Sequence, residues 1–441
     1  MAFQLLEKHY SFGECYQPSM KTIFRSIISG ILRLLAKSKL AKSKPTLIGI
    51  TGSIGKTSTK DAVVAILRQK FQVKAADGGY NTEIGVPLMI LNQRSDNTSS
   101  VASWARILWK AFLDVSQGEH MDVLVVEMGV DKPGDMRELT KIISPDIAIL
   151  TSIAANHIAP GQFSSEQDIL REKTGIAALQ KKNNYFITNN DNPWIFSYVH
   201  TGSTRLRYGE DGANEFVVSN VTGNVQGISF HVKGRSLDHD FRVPILGTYH
   251  TSVLVPAIIC GELLGLTGEE IQKGLADFQL PKGRLRLLPG VHNSTIIDSS
   301  YNASKAAMLH ALELVDSLPA PRKILCLGQM NELGERTEES HLEVARLAAQ
   351  IGNLFILVGP DAKIYEQELL RVGVEKGTVH HFLDSQEAGK FLLPLIQDGD
   401  LVFVKGSQGG VRLERLIAEI LADPATAKDV LVRQGPEWQN R

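Results

Sequence analysis

Residues 51–58 read Thr-Gly-Ser-Ile-Gly-Lys-Thr-Ser and follow a short apolar run. A strand that turns through Gly52 and Gly55 into a helix points several backbone N–H groups, and the positive end of the helix dipole, at one place. A polyphosphate fits there, with Lys56 reaching its outer phosphates and the Thr57 hydroxyl binding a bridging Mg²⁺. The alternative interpretation is a glycine-rich turn that contains Gly-Lys-Thr by chance.

This loop departs from the strict phosphate-loop spacing, which places a glycine at position 50. The chain has Ile50 there, and the nearest upstream glycine is Gly49. Strand, turn and helix still fall where the motif requires them, so we expect an ATP-binding loop. The residues expected to contact the nucleotide are Thr51, Gly52, Ser53, Gly55, Lys56, Thr57 and Ser58.

Two more candidate residues follow apolar runs further along the chain. Glu127 ends the run at 123–126, and His157 follows the run at 147–150. Ligands of open α/β sheets gather at the carboxyl ends of the strands. A carboxylate and an imidazole placed there, beside Thr57, predict Mg²⁺ ligands around ATP. An ordinary strand-end glutamate and a loop histidine are the alternatives.

The elements around these residues alternate between strands and helices, which predicts a mostly parallel sheet covered on both faces. Residues 203–246 have the alternating pattern of β-hairpins, and 251–278 the pattern of a helix. A second alternating set follows. We therefore predict a central ATP-binding domain over 46–285 and a Rossmann-like α/β domain over 286–441. The predicted strands are 47–50, 123–126, 147–150, 185–188, 295–298, 323–327, 354–358, 380–383 and 401–404, with helices at 304–317 and 337–350.

The N-terminal segment, residues 1–45, differs in charge from the rest of the chain. Residues 21–44 contain seven Lys or Arg and no acidic residue, with apolar residues at helical spacing. This predicts a basic amphipathic helix, interrupted by charges too often to span a bilayer. Two placements stay open: it lies in the interface of an anionic membrane, or it packs on the following domain.

Composition excludes several classes of protein. A net charge of −1 and 22% charged residues give no reason to expect nucleic-acid binding. Cys15, Cys260 and Cys326 are far apart and have no metal-ligand spacing, which favours reduced thiols. No signal peptide is visible. We expect a cytoplasmic monomer, with residues 21–44 as the one candidate contact with the inner face of the membrane.

Several motifs occur in a fixed order between about residue 46 and residue 420. They are GITGSIGKTSTK, YNTEIGVPLMIL, VVEMG, TNNDNP, GRLRLLPG with IIDSSYNASKAAMLHAL, CLGQMNELGERTEESH and VFVKGS. Together they resemble the motifs of the Mur ligases of peptidoglycan synthesis. The resemblance is greatest to the branch that adds D-alanyl-D-alanine to a UDP-muramoyl tripeptide.

The resemblance implies roles for individual residues. Thr57, Glu127 and His157 would bind metal, and Lys173 would support the second ion as a carbamate, so that Lys56, His157 and Lys173 carry the catalysis. Plain structural roles, such as a solvated helix lysine, remain the alternatives. The other implied nucleotide contacts are Asn190, Asp191, Arg284, Asp298, Tyr301 and Asn302, and the implied substrate contacts are Asn81, Thr82, Lys405 and Ser407.

The implied activity is amide formation from an acid and an amine, with ATP converting the acid to an acyl phosphate. The family pattern also has an N-terminal domain that holds the UDP-sugar, and this chain has only residues 1–45 in that place. We therefore expect an active ligase whose preferred acid substrate differs from that of the family. Two alternatives are a ligase for another acid, similar to folylpolyglutamate or cyanophycin enzymes, and a regulatory protein that binds ATP without making a bond.

Overall fold

The computed structural model describes residues 20–76, 80–94, 100–117, 119–154, 162–224, 226–331, 333–435 and 438. Within these residues the chain forms a nine-stranded sheet followed by a six-stranded sheet. Both are predominantly parallel and carry helices, so the predicted α/β fold class is confirmed. The exact domain boundaries stay predictions.

The first sheet has the spatial order β2-β3-β1-β4-β5-β6-β7-β8-β9. Strands from β2 to β7 pair in parallel, and β7, β8 and β9 form an antiparallel meander within the region predicted as hairpins. The strands are β1 (Thr46–Thr51), β2 (Val73–Ala75), β3 (Val123–Glu127), β4 (Ile147–Leu150), β5 (Tyr185–Asn189), β6 (Thr204–Gly209), β7 (Phe216–Asn224), β8 (Gly227–Lys233) and β9 (Asp238–Val243).

Helices cover both faces of this sheet because successive strand residues point to opposite sides. Ile48 and Ile50 belong to one buried apolar cluster, and Leu124 and Val126 belong to another. The helices of this part of the chain are α1 (Met20–Ser43), α2 (Lys56–Leu67), α3 (Gly85–Ile90), α4 (Val101–Gln117), α5 (Asp135–Thr140), α6 (Glu166–Thr174), α7 (Pro193–Phe196), α8 (Thr251–Leu263) and α9 (Gly268–Leu275).

The second sheet has the order β10-β11-β15-β12-β13-β14, with only the β10–β11 pair antiparallel among its described strands. Its strands are β10 (Arg286–Pro289), β11 (Thr295–Ser299), β12 (Lys323–Gly328), β13 (Leu354–Val358), β14 (Val379–Phe382) and β15 (Leu401–Lys405). Its helices are α10 (Lys305–Ser317), α11 (Thr337–Ile351), α12 (Lys363–Arg371), α13 (Ser385–Leu392), α14 (Glu414–Ile420) and α15 (Ala427–Val430).

Most predicted strands and helices agree with the structure to within one residue at each end, whereas one strand is shifted and one helical pattern is divided. The strand predicted at 380–383 lies one residue earlier, because Leu383 is exposed beyond the end of β14. The helical pattern at 251–278 is divided into α8 and α9, since Gly265 takes a left-handed conformation (φ 76°) between them and Thr267 caps α9.

The basic segment forms the helix α1, as predicted, and the helix packs on the following domain. Ile28, Leu32 and Ala36 are buried in the same apolar cluster as parts of α3 and α4. Lys39 is buried as well and forms ion pairs with Asp114 (2.5 Å) and Glu119 (2.7 Å). Among the described residues, no helix is both long enough and apolar enough to cross a membrane.

Candidate nucleotide and metal site

The predicted phosphate loop connects β1 to α2, and glycine is required at both of its turning points. Gly52 and Gly55 have φ values of 150° and 89°. A Cβ on Gly52 would lie 2.0 Å from Thr151 Oγ1, and one on Gly55 would lie 2.8 Å from Val253 Cγ1. The loop therefore keeps its amide groups close to the neighbouring strand end, at the start of a 12-residue helix.

The isoleucine at position 50 is explained by the length of β1. Ile50 is fully buried and lies in the ladder opposite Glu127 and Ile149, so the turn begins only after Thr51. Gly49 is the residue that must be small, because a Cβ there would lie 2.6 Å from Pro145 Cγ. The departure from the strict spacing thus leaves the loop geometry intact.

The side chains of the loop are held by the strand ends beside it. Lys56 Nζ donates a hydrogen bond to Gly52 O (2.8 Å), which folds the lysine over the loop. Thr51 Oγ1 donates to Met128 O (2.8 Å), and Ser53 N donates to Ser152 O (2.8 Å). Ser58 lies buried in the first turn of α2.

Thr57 and Glu127 form the candidate metal position. Thr57 Oγ1 donates to Glu127 Oε2 over 3.0 Å, so a hydroxyl and a carboxylate oxygen meet at the amino end of α2. Both are ligands that Mg²⁺ prefers, and Mg²⁺ commonly takes its remaining ligands from water and phosphate. The described residues contain no group of three or more His, Cys, Asp or Glu that could hold a metal by itself. The third predicted ligand, His157, lies outside the described residues.

Lys173 lies in the last turn of α6 and is 2% exposed. Burial lowers its pKa to about 8, and the positive charge of Lys56 adds to this effect, while Asp131 and Glu172 oppose it. The same environment lowers the pKa of Lys56, mainly through burial, with Glu127 opposing the change. The alternative interpretation of Lys173 as a solvated helix lysine is therefore wrong, because the side chain is buried.

Two of the four residues predicted to contact substrate, Asn81 and Thr82, lie in the loop before α3, next to the end of β3. Gly129, two residues after Glu127, donates its N–H to Asn81 O (3.0 Å) and packs against the Asn81 side chain. Thr82 Oγ1 accepts a hydrogen bond from Gly85 N (3.2 Å) at the start of α3.

Asn190 and Asp191 lie just past the carboxyl end of β5, at the same edge of the sheet as the loop. Asn190 N donates to Tyr208 O (2.8 Å), and Asp191 Oδ1 accepts from Glu210 N (3.0 Å). A Cβ on Gly209 would lie 2.2 Å from this carboxylate. Burial raises the pKa of Asp191. Both residues are placed by backbone contacts with the strand next to theirs.

Arg284 connects the two sheets electrostatically. Its guanidinium stacks on the Tyr301 ring (4.6 Å to the centroid), and its charge contributes to lowering the pKa of both Lys56 and Lys405. Tyr301 N donates to Gly283 O (3.0 Å), which ties the start of the second unit to the segment before it.

Lys405 ends β15 and is buried beside the other predicted residues of this unit. Its Nζ donates to Ser299 Oγ (3.1 Å) and Asn302 O (2.9 Å). Burial lowers its pKa to about 8, and the charge of Arg284 adds to this while Asp298 opposes it. Asp298 is itself completely buried, and burial raises its pKa.

Ser407, in the loop that follows β15, forms hydrogen bonds to three other segments. Its Oγ accepts from Asn331 N (2.9 Å) and donates to Ala303 O (3.3 Å). Its own N–H donates to Gln329 O (3.1 Å). These contacts fix the loop backbone at the carboxyl edge of the second sheet.

Sequence reasoning missed two features of the site. Asp131 acts electrostatically on both Lys56 and Lys173, and its position just past β3 could have identified it. The completely buried Glu414 binds Arg433 Nη2 (2.8 Å), which also donates to Ser300 O (2.7 Å). Nothing in the sequence around position 414 marks this residue, because its connection to Ser300 is made through Arg433, nineteen positions further along the chain.

Fold and site together define a phosphate-loop nucleotide-binding protein with a second α/β unit. The Mur ligase middle domain matches residues 50–261, and the Mur ligase, glutamate ligase domain matches residues 283–408. The chain belongs to the Mur ligase family, as its motifs indicated.

Relatives and solved structures agree with this assignment. The chain is 28% identical over 396 residues to a UDP-N-acetylmuramoyl-tripeptide–D-alanyl-D-alanine ligase of Bacillus subtilis, covering 89% of this chain and 79% of the relative. The enzyme of that name from Escherichia coli is 26% identical over 374 residues, covering 83% and 75%. In fold, the chain is similar to MurF from Acinetobacter baumannii (TM-score 0.73, 24% identity, covering 89% and 80%).

A more distant structural neighbour is a folylpolyglutamate synthase from Mycobacterium tuberculosis. Its TM-score is 0.61 at 17% identity, and it covers 87% of this chain and 92% of its own. This likeness concerns the fold.

Proposed function

We propose that this chain is an ATP-dependent carboxylate–amine ligase that adds D-alanyl-D-alanine, or a similar amine, to a muramoyl-peptide acid in peptidoglycan synthesis. Its family membership supports this, as do relatives that bear the name of that reaction and align with more than four fifths of the chain. The acid and the amine are small molecules.

The observation that carries the proposal is an excess of positive charge at the site. Lys173 and Lys405 are buried and Lys56 is partly buried. The pKa values of all three are lowered, and the charge of Arg284 contributes to this for Lys56 and Lys405. Burying cations near one another is unfavourable unless an anion joins them. A nucleoside triphosphate on the loop supplies that anion, and it also explains why cations of both units converge there.

Magnesium fits the oxygen pair of Thr57 and Glu127, and we propose that these residues hold it. When bound, the ion would neutralise charge on the phosphate oxygens. The loop amides and Lys56 act on the same charge by hydrogen bonding and Coulomb attraction. They are in place before the reaction, so they stabilise the developing negative charge with little rearrangement.

The reaction has two steps. A carboxylate oxygen of the acid attacks the γ-phosphorus of ATP, and ADP departs, which leaves an acyl phosphate. The amine nitrogen then attacks the acyl carbon, phosphate departs, and the nitrogen loses a proton. Arg284, between the two units, limits the access of water to the acyl phosphate, which water would otherwise hydrolyse.

We assign Lys173 the role of a carbamate that supports a second metal ion, together with His157. Its lowered pKa supports this, because a larger fraction of the amine is neutral near pH 7 and only the neutral amine reacts with CO₂. Carbamylation would replace the positive charge of this buried side chain with a negative one, which Lys56 would attract.

The remaining contacts follow from position. Asn190 and Asp191 serve the adenosine side of the nucleotide, and Tyr301, Asp298 and Asn302 approach it from the second unit. Asn81 and Thr82, beside the metal position, contact the acid, while Lys405 and Ser407 face the amine side. We propose that the protein acts as a monomer in the cytoplasm. Contact of residues 21–44 with the inner face of the membrane stays a prediction.

A phosphate-release assay tests this function. Purified protein with ATP and Mg²⁺ should release phosphate only when both a muramoyl peptide and D-alanyl-D-alanine are present, with the condensed product seen by mass spectrometry. Lys56→Ala should abolish turnover, whereas Lys181→Ala, an exposed lysine of the same unit, should not change it.

Two outcomes of this assay would overturn the proposal. Turnover only with another acid, such as a folate, would favour a different ligase of the same fold. Steady ATP hydrolysis that no acid or amine alters would favour a regulatory nucleotide-binding protein.

A further inference from the structure

The helix α1 has two apolar faces, and only one of them is covered. Ile28, Leu32 and Ala36 are buried against the domain. Ile27, Ile31 and Leu34, at helical spacing on the other side, are 56%, 38% and 67% exposed. Packing on the domain therefore leaves three large apolar side chains of this helix exposed.

The neighbouring helix α4 also exposes apolar side chains. The two helices are joined by the Lys39–Asp114 ion pair and by Lys42 Nζ, which donates to Val115 O (3.0 Å). On α4, Trp109 is 63% exposed and Phe112 55% exposed, and their rings stack with centroids 6.0 Å apart. Val101 and Leu113 of this helix are exposed as well. We use the name α1–α4 surface for the exposed residues of the two helices, which include Ile27, Ile31, Leu34, Val101, Trp109, Phe112 and Leu113.

The charges of the α1–α4 surface are positive. Lys37 of α1 and Arg106 and Lys110 of α4 are exposed among the apolar residues. No acidic residue occurs in α1, and Asp114, the single acidic residue of α4, already binds Lys39. A surface that exposes apolar residues over two adjacent helices marks an interaction site.

We propose that the α1–α4 surface docks on an anionic lipid membrane, with the two helices lying in the interface. Exposed Trp, Phe and Leu beside Lys and Arg match the headgroup region, where apolar side chains enter the acyl boundary and cations meet anionic lipids. Protein interfaces are also enriched in aromatic residues, but lysine is depleted at their centre, whereas here Lys37 and Lys110 are exposed among the apolar residues. The charge pattern thus favours a membrane over a second protein.

Docking would also orient the candidate active site. Arg25 of α1 binds Glu83 (2.6 Å), which directly follows Asn81 and Thr82 in the loop before α3. The ion pair connects the substrate side of the site to α1 on the helix side that faces the domain, so docking through the opposite side would hold the site at a fixed distance from the lipid surface. This consequence rests on the proposed function, whereas the docking itself does not.

Sedimentation with lipid vesicles tests the docking in the absence of nucleotide and substrates. We expect the full chain to bind vesicles containing phosphatidylglycerol and not pure phosphatidylcholine vesicles. The double variants Ile31→Gln/Leu34→Gln and Trp109→Gln/Phe112→Gln should each weaken binding by roughly tenfold or more. Lys37→Glu/Lys110→Glu should do the same at low salt.

The matched control carries the same kind of change at exposed apolar positions of the second unit, Val372→Gln/Leu383→Gln, and should bind like the unaltered protein. Unchanged thermal unfolding would show that all variants are folded. The proposal is wrong if the unaltered protein does not bind anionic vesicles, or if surface and control variants bind equally.

Light scattering on the same samples separates the membrane from a second copy of the chain. A dimer that the α1–α4 variants dissociate would overturn the proposal in favour of self-association. Because no substrate enters these measurements, an inactive ligase with intact vesicle binding would refute only the proposed function.

Discussion

Replacing Lys173 by methionine should make the ligand-free protein more stable at neutral pH. The side chain is 2% exposed, and its pKa is lowered from 10.5 to about 8 by burial and by Lys56. A lysine whose pKa is lower in the folded than in the unfolded state binds its proton more weakly when folded. Below about pH 8 both states are protonated, and folding then carries the full penalty.

The magnitude follows from the shift. At about 1.4 kcal/mol per pH unit, a fall from 10.5 to about 8 corresponds to about 3 kcal/mol of unfolding free energy at pH 7. Lys173→Met keeps the length and the apolar stem of the side chain and removes the charge. The gain should shrink as the pH rises from 8 to 10.5, where the unaltered protein also holds a neutral amine.

Urea unfolding at pH 7, 9 and 10.5 in CO₂-free buffer, without nucleotide or metal, measures this difference. Lys182→Met, at an exposed position of the same unit, should change nothing. A Lys173→Met protein that is no more stable at pH 7, or whose gain is independent of pH, would refute the reasoning. Added ¹³C-bicarbonate should give a carbamate NMR signal in the unaltered protein that Lys173→Met lacks.

Two further substitutions test the backbone of the loop and the buried ion network. Gly55→Ala forces a left-handed residue (φ 89°) to carry a Cβ 2.8 Å from Val253 Cγ1, which should cost about 1–2 kcal/mol in urea unfolding and weaken ADP binding by calorimetry. Equal stability and affinity would contradict this. Glu414→Gln removes the buried carboxylate that Arg412 Nε and Arg433 Nη2 each contact over 2.8 Å, and it should lower the unfolding free energy by about 3–5 kcal/mol. Glu375→Gln, at an exposed position, is its control. Equal unfolding free energies of the two variants would show that the ion network does not stabilise the second unit.

The parts that the sequence predicts well are those governed by local pattern. The β1 strand, its glycine turn and α2 were expected from hydrophobic period and turn chemistry, which act over a few residues. The carboxyl-edge rule then placed Glu127 beside Thr57, and the two side chains meet over 3.0 Å. Long, strongly patterned strands such as β13 were found with their observed bounds.

The parts that the sequence could not give depend on contacts between distant segments. Lys173 looks like an exposed helix lysine, and only the approach of Lys56 and the covering elements make it a buried one. Glu414 acquires its role from an arginine nineteen positions further on. The sequence left open whether α1 lies on a membrane or packs on the domain. Its basic residues lie between two apolar faces, and the pattern does not say which face the domain covers.

The candidate site differs from the rest of the fold in the balance of its buried charges. Other buried charges have a partner of opposite sign, as Lys39 has Asp114 and Glu414 has Arg433. At the loop, by contrast, burial lowers the pKa values of Lys56 and Lys173, and the charge of Arg284 adds to this for Lys56 and the charge of Lys56 for Lys173. A fold keeps such an arrangement when a ligand supplies the missing charge, and a ligand that binds only the folded state stabilises it in proportion to its binding. The positive charges that lower the stability of the nucleotide-free protein are therefore the same charges that increase its affinity for the triphosphate.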